Sequence, residues 1–404
     1  MSLLDVDEAR ALLLSGVQVR DVTRVSLEAA LGRVLGEDIP ASTDLPPFDQ
    51  SMMDGYAIRT SELEGDPPWE LRVSGESRPG APRAQALEAG AASRVFTGAV
   101  LPAGADAVVI QEQAVRRTDR VSFEQRPDPF EYVRRAGEDL TLGATALAAG
   151  TRLGAPQLAL LSAFDRVELL VRQQPRVTVF ATGDELRTPG SPQCPGSVVD
   201  INGPLIARLC RNVGADVVHV GRLADDLDAT RSALEMAFRD SDLVLTLGGV
   251  SVGEYDFVRR AACAAGVTLD FWRVAMKPGK PLLVGRRGAR RLLGIPGNPL
   301  SALVVFMVFV APLVRSLQGD TSPFAAPAGA ELEAPLTRTP GRREWVPVAL
   351  HASGNATPRA AALRHWTSGS VAALAWAQGF VEVDAETAHV PAGTVLPLWR
   401  LCDV

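Results

Sequence analysis

The sequence predicts a multidomain α/β protein. Its parts are a central doubly wound α/β domain with a parallel sheet, an inserted small β-rich module, an N-terminal helical linking domain and a C-terminal β-barrel-like domain. Three observations predict this. At about 150 residues per domain, the 404 residues correspond to roughly two to four domains. From residue 175 onward, strands alternate with helices, the pattern of a parallel sheet covered on both faces. Gly and Pro make up 65 of the 404 residues, about 16% against roughly 12% on average, which is too turn-rich for a helical bundle.

Residues 7–36 alternate apolar and polar positions at helical spacing and stop at Gly36-Glu37-Asp38-Ile39-Pro40, which predicts a helical N-terminal segment. The stretch Asp44-Leu45-Pro46-Pro47-Phe48-Asp49 breaks it. Short strands separated by turns follow: Tyr56 to Ile58, Leu71 to Val73, Ala107 to Ile110 and Arg120 to Phe123. Residues 137–170 return through turns to a helix over Ala155 to Phe164. The expected division is therefore a linking domain of 1–45 and 137–172, interrupted by a β-rich insertion over 46–136.

The α/β domain, 173–320, begins with the strand Arg176 to Ala181. It continues with a helix over Pro204 to Asn212, a strand over Asp216 to Val220, a helix over Ala229 to Asp240 and a strand over Asp242 to Leu247. A helix over Phe257 to Ala265, a strand over Arg291 to Ile295 and a long apolar helix over Pro299 to Leu317 complete it. Residues 318–330, rich in Ala, Pro and Gly, read as a linker. Short strands with frequent Pro and Gly over 331–404 predict the β-barrel.

Composition excludes several function classes. A net charge of −6 provides no whole-chain basic field to hold nucleic acid. Cys194, Cys210, Cys263 and Cys402 lack CxxC spacing, which argues against a zinc site or disulfide framework and fits a reducing cytoplasm. Asp5, Asp7 and Glu8 stand where a signal peptide carries basic residues. The longest apolar run, Ala302 to Val310, is too short to span a bilayer. The expectation is a cytoplasmic protein with neither nucleic-acid nor membrane partners.

The 41 basic side chains include only two lysines, Lys277 and Lys280, both in Lys277-Pro278-Gly279-Lys280. A chain that uses arginine everywhere else has kept two compact ammonium groups in one loop. In open α/β sheets, ligands bind beyond the carboxyl ends of the strands. Five polar loops fall there: Thr182-Gly183-Asp184-Glu185, Asp225-Asp226, Gly248 to Asp256, the lysine tetrapeptide and Gly294-Ile295-Pro296-Gly297-Asn298-Pro299. They predict a single pocket on one rim. Glycine turns bring backbone N–H groups close to phosphate. Carboxylates without His or Cys companions favour Mg²⁺.

Gly249-Val250-Ser251-Val252-Gly253 also fits the GxSxG nucleophile elbow, but His351, His365 and His389 lie in the C-terminal module and His219 precedes the motif. No GxxxxGK[ST] occurs, because Pro281 follows Gly279-Lys280, and GxGxxG is absent.

These segments, with Ser51-Met52-Met53-Asp54-Gly55-Tyr56-Ala57, Thr97-Gly98-Ala99 and Gly137-Glu138-Asp139, resemble the molybdenum insertases of molybdenum cofactor synthesis, the MoeA and gephyrin E-domain family. The resemblance runs nearly end to end. It implies four domains and a homodimer whose active sites are shared between subunits. It also implies the reaction: adenylylated molybdopterin and molybdate give molybdenum cofactor, AMP and water, with Mg²⁺ required.

Carried onto this chain, the resemblance has Lys277 and Lys280 neutralise molybdate. Glu185, Asp225 and Asp256 position Mg²⁺ or polarise the water that cleaves the AMP phosphate. Gly248, Gly249, Ser251 and Gly253 cradle ligand phosphate with Thr182, Gly183 and Asp184. Pro296, Gly297, Asn298 and Pro299 shape the loop before the long helix, and Ser301, Arg342 and Ser370 are further oxyanion groups. Asp54, Thr97 and Asp139 would reach the pocket from the partner subunit. Arg273 stands where many family members carry Lys, so electrostatic support there survives but proton exchange does not. Contacts with other cofactor-synthesis enzymes are also implied. Two other readings remain: a non-catalytic molybdopterin-binding carrier or scaffold, and an esterase using Ser251.

Overall fold

A computed structural model describes residues 3–250, 257–324, 327–352, 357–364 and 366–403. The chain forms two compact units. One comprises Met1–Gly36, Gly150–Leu158 and Val167–Val404, and the other Glu37–Ala149 with Ala159–Arg166.

In the larger unit, a six-stranded sheet runs in the order Asp216–Leu223, Arg176–Thr182, Leu243–Leu247, Arg290–Ile295, Leu283–Arg287, Thr268–Trp272. The first four strands are mutually parallel, and each is followed or preceded by a helix, as expected. The sheet as a whole is mixed, which corrects the expected parallel sheet. Leu283–Arg287 runs antiparallel to both of its neighbours. The cause is local: Arg287 pairs with Arg290 across the two-residue turn Gly288-Ala289, with Gly288 at φ +63°. So short a loop can only join antiparallel strands.

Nineteen residues, Pro299–Leu317, form the central helix, with Pro299 at its first turn and a π-helical stretch over Phe306–Val310. With a mean hydropathy of 2.2 it is long and apolar enough to cross a membrane, which the nine-residue run Ala302 to Val310 did not foretell. It lies 89% buried inside the protein. A helix apolar on every side belongs in a core, and this one is the centre of the largest cluster.

The expected helix over 7–36 is only Val6–Leu14. Asp5 caps it, accepting from the Asp7 and Glu8 N–H groups at 2.8 and 3.4 Å. Beyond it, Val22–Ser26 pairs antiparallel with Glu168–Arg172, its residues alternating in exposure. Val22, Thr23 and Val25 are β-branched, and a period of two overrode the weaker helical pattern.

Asp7 ties this helix to the C-terminal barrel through two hydrogen bonds from Arg343, at 2.7 and 3.1 Å. Those bonds hold the Asp7 carboxyl below its ordinary 3.8. The folded value is therefore lowered. The tie contributes fully above the unfolded pKa and is lost as pH falls through the folded one. Asp7→Asn should cost stability at pH 7, and the deficit should shrink as both proteins are taken below about pH 4. Urea midpoints measured against pH check this, and a deficit independent of pH would refute it.

The C-terminal strands close into a five-stranded barrel in the order Arg343–His351, Arg359–Ala362, Ala328–Leu332, Val395–Arg400, Gly379–Val383 and back to the first. Met276–Lys277, from the loop of the α/β sheet, adds to it in parallel, with Lys277 opposite Glu344.

The second unit holds a six-stranded sheet ordered Ala107–Ile110, Gly55–Ile58, Ala91–Val95, Trp69–Ser77, Arg120–Phe123, Ala114–Arg117. Tyr56, Ile58, Val109, Val121 and Phe123 fill its core.

Candidate active site

The strand order places Arg176–Thr182 beside Leu243–Leu247 with their crossovers departing in opposite directions, which makes a topological switch point between them. A pocket of about 630 Å³ opens there. Thr182, Gly183, Glu185, Asp225, Gly248, Gly249, Pro296, Gly297, Asn298 and Pro299 of the expected set line it. Gly248 has φ +95°, and a Cβ on it would stand 2.7 Å from Thr182 Oγ1. Only glycine lets the backbone of this loop form the pocket wall. Asp184 does not line the pocket. Its carboxylate accepts from the Asp225 N–H at 3.3 Å and so knits the two loops together.

The single-pocket expectation needs correction. Pro281, Pro296 and Asn298 separate the first pocket from a second of about 710 Å³, and these three residues line both. Lys277, Lys280, Ser301 and Arg342 line the second pocket, together with Arg338 and Glu344. One rim became two pockets because the barrel supplies the far wall of the second, a wall no pattern within 175–305 can show.

The two pockets share one turn. Thr367 N–H donates to Ser370 Oγ at 2.8 Å, Ser368 Oγ accepts from Asn298 Nδ2 at 3.0 Å, and Gly369 lines the first pocket while Ser368 lines the second. Ser370 itself lines neither.

Arg273 also lies outside both pockets. Its guanidinium is stacked on Trp272, 3.9 Å from the ring centroid, and the Trp272 indole donates to the Val250 carbonyl at 2.9 Å. The Trp272 π-face gives the guanidinium a stacking partner beside the first pocket's loops. Ser251, Gly253 and Asp256 fall outside the described residues.

In the second unit the structure brings Asp54 and Thr97 together. Asp54 Oδ1 accepts from the Thr97 N–H at 2.8 Å and its hydroxyl at 3.0 Å. These bonds, the backbone one foremost, hold the Asp54 carboxyl below the usual range. Asp139 is paired with Arg134 instead.

Two groups in the first pocket escaped the sequence reading. Asp200 accepts from the Gly203 N–H at 2.9 Å in the first turn of the helix Asn202–Asn212, and Asn202 Nδ2 donates to the Gly297 carbonyl at 2.6 Å. Asn202 Oδ1 is buried with no hydrogen-bond partner. An unpaired buried acceptor in a ligand pocket fits a ligand donor. The signal was present in Asp200-Ile201-Asn202-Gly203, polar residues opening a helix after the short strand Val198–Val199.

Comparison with known proteins now decides the family. A Mycobacterium tuberculosis protein named molybdopterin molybdenumtransferase 2 is 36% identical over 389 residues, covering 93% of this chain and 94% of that one. The chain belongs to the MoeA family. Its residues 4–164 match the MoeA N-terminal region (domain I and II), 178–316 a probable molybdopterin binding domain, and 329–401 the MoeA C-terminal region (domain IV). A Haemophilus influenzae molybdopterin molybdenumtransferase is 37% identical over 79% of this chain and 78% of its own. A solved molybdopterin biosynthesis moeA protein from Pyrococcus horikoshii superposes with a TM-score of 0.85 at 27% identity, covering 99% of this chain and 100% of that one. In this MoeA chain the match to the molybdopterin binding domain spans the residues that line the first pocket except Gly369 and Val371.

Proposed function

We propose that this MoeA-family chain is a molybdenum insertase, transferring molybdate into adenylylated molybdopterin with release of AMP. One observation carries the proposal: two pockets of opposite chemistry adjoin at Pro281, Pro296 and Asn298. The first, glycine-lined with the carboxylates of Glu185 and Asp225, suits a phosphate-bearing pterin. The second sets Lys277, Lys280, Arg338 and Arg342 against one carboxylate, Glu344, and suits a tetrahedral dianion.

Among the described residues lining the first pocket there is neither His nor Cys, and their donors fit a hard cation. Glu185 and Asp225 would hold Mg²⁺, which supplies charge neutralisation at phosphate oxygens. No group of three His, Cys, Asp or Glu side chains gathers among the described residues. Asn202 and Gly297 orient the ligand, and Lys280 holds the dianion where the pockets meet.

The proposal takes the four-domain division 1–45 with 137–172, 46–136, 173–320 and 331–404 as its frame. It takes a cytoplasmic homodimer as the working form, with Asp54, Thr97 and Asp139 of one copy completing the site of the other. Size-exclusion chromatography with light scattering would remove that sharing by showing a monomer at micromolar concentration.

The test of the activity is AMP release. Protein loaded with adenylylated molybdopterin and Mg²⁺ should release AMP when molybdate is added. Binding without molybdate-dependent AMP would favour the carrier instead. Labelling of Ser251 by a fluorophosphonate would revive the esterase.

A further inference from the structure

Glu344 is a carboxylate only 3% exposed in the wall of the second pocket. A buried charge is tolerable only when paired, and each of its oxygens has a cation. Oε1 is ion-paired with Lys277 Nζ at 2.7 Å, and Oε2 accepts from Arg338 Nε at 2.6 Å.

Arg338 cannot turn toward a ligand. Its side chain is 5% exposed, one terminal nitrogen donates to the carbonyls of Asp384 and Thr387 at 2.9 and 2.6 Å, and the other to that of Arg342. The strand pairing of Lys277 with Glu344 fixes the remaining geometry. Lys277 has three N–H donors and one ion-pair partner, Glu344. Lys280 is exposed, and neither it nor Arg342 has an ion-pair partner among the described residues.

The two lysines of the tetrapeptide therefore do different work. We infer that Glu344 is a positioning residue of the dianion site: it fixes the Lys277 ammonium at the pocket wall, sharing its one negative charge between Lys277 and Arg338, and leaves Lys280 and Arg342 as the cations without an acidic partner among the described residues. The identity of the dianion rests on the function proposed above; the arrangement of the lysines does not.

With only two lysines in 404 residues, lysine-selective ¹⁵N,¹³C labelling yields two side-chain NMR signals, assigned by Lys277→Gln and Lys280→Gln. The Lys277 ammonium and ε-methylene should show a dispersed, restricted signal. Glu344→Gln should collapse it to the averaged position of a mobile lysine and leave Lys280 unmoved. Where the Gln variant fails to fold, Glu344→Asp keeps the charge beside Arg338 and withdraws it from Lys277, and the same collapse is expected. Signals unchanged in whichever variant folds would overturn the positioning.

Calorimetry with molybdate gives the second arm. Lys280→Gln should weaken binding at least about ten-fold and Lys277→Gln by a smaller factor, because Lys280 has no carboxylate partner among the described residues and Lys277 shares Glu344 with Arg338. Equal losses would overturn the division of labour. Glu344→Gln and Lys277→Gln should not add in AMP release, since one acts through the other. Should the parent protein bind no molybdate while its lysine signals behave as stated, the proposed function falls and the positioning stands.

Discussion

Lys280→Ala is expected to slow molybdate-dependent AMP release by about 10²–10³-fold, the cost of deleting one preorganised donor at a site of developing negative charge. Lys280 ends the tetrapeptide that lines the second pocket, on the side of Pro281, which both pockets share. Its ammonium is uncommitted to any carboxylate among the described residues, so nothing else in the loop replaces its charge. Asp225→Ala should abolish the same signal through the first pocket, where Asp225 both lines the wall and exchanges backbone contacts with Asp184. The measurement is chromatographic AMP release from loaded protein, with circular dichroism confirming the fold. AMP release by Lys280→Ala within about three-fold of the parent would remove Lys280 from the reaction.

Phe309→Ala should destabilise the larger unit by about 3–5 kcal/mol, the usual cost of a large buried aromatic. Phe309 is 0% exposed within the π-helical stretch of the central helix. The cluster around it includes Val177, Leu245 and Leu293 of the α/β sheet and Trp345, Phe380 and Trp399 of the barrel. A cavity there loosens the sheet and the barrel together, and with them the walls of the second pocket. The urea midpoint reports the loss. Leu12→Ala, at a half-exposed side chain on the first helix, serves as control and should shift stability by no more than about 1 kcal/mol. A Phe309→Ala midpoint equal to that of Leu12→Ala would contradict the placement of the core.

Legibility followed the physics of each segment. Strands such as Ala107–Ile110 and Arg120–Phe123, and the helix Pro299–Leu317, were readable because their pattern is local and uninterrupted. Thr268–Trp272 and Leu283–Arg287 were not separated out. The pairing of Leu283–Arg287 with Arg290–Ile295 depends on a two-residue arginine-flanked turn whose meaning appears only once both strands exist, and Thr268–Trp272 then adds to the free edge of Leu283–Arg287. Arg273 shows the same limit for a side chain, since its stacking on the Trp272 ring is set by the folded backbone and not by local pattern.

By itself the sequence determined the α/β domain, the rim that carries the glycine loops, and the isolation of two lysines in one tetrapeptide. These are properties of short stretches, set by periodicity, turn chemistry and residue type. Only the tertiary structure decided that the rim holds two pockets, that Asn202 keeps an unpaired acceptor in one of them, and that Glu344 divides the lysines in the other. Glu344 lies 67 positions from Lys277 in the chain yet directly opposite it in the barrel ladder. A buried charge is paid for by its partner, and that partner is chosen by strand register, which short-range pattern does not contain.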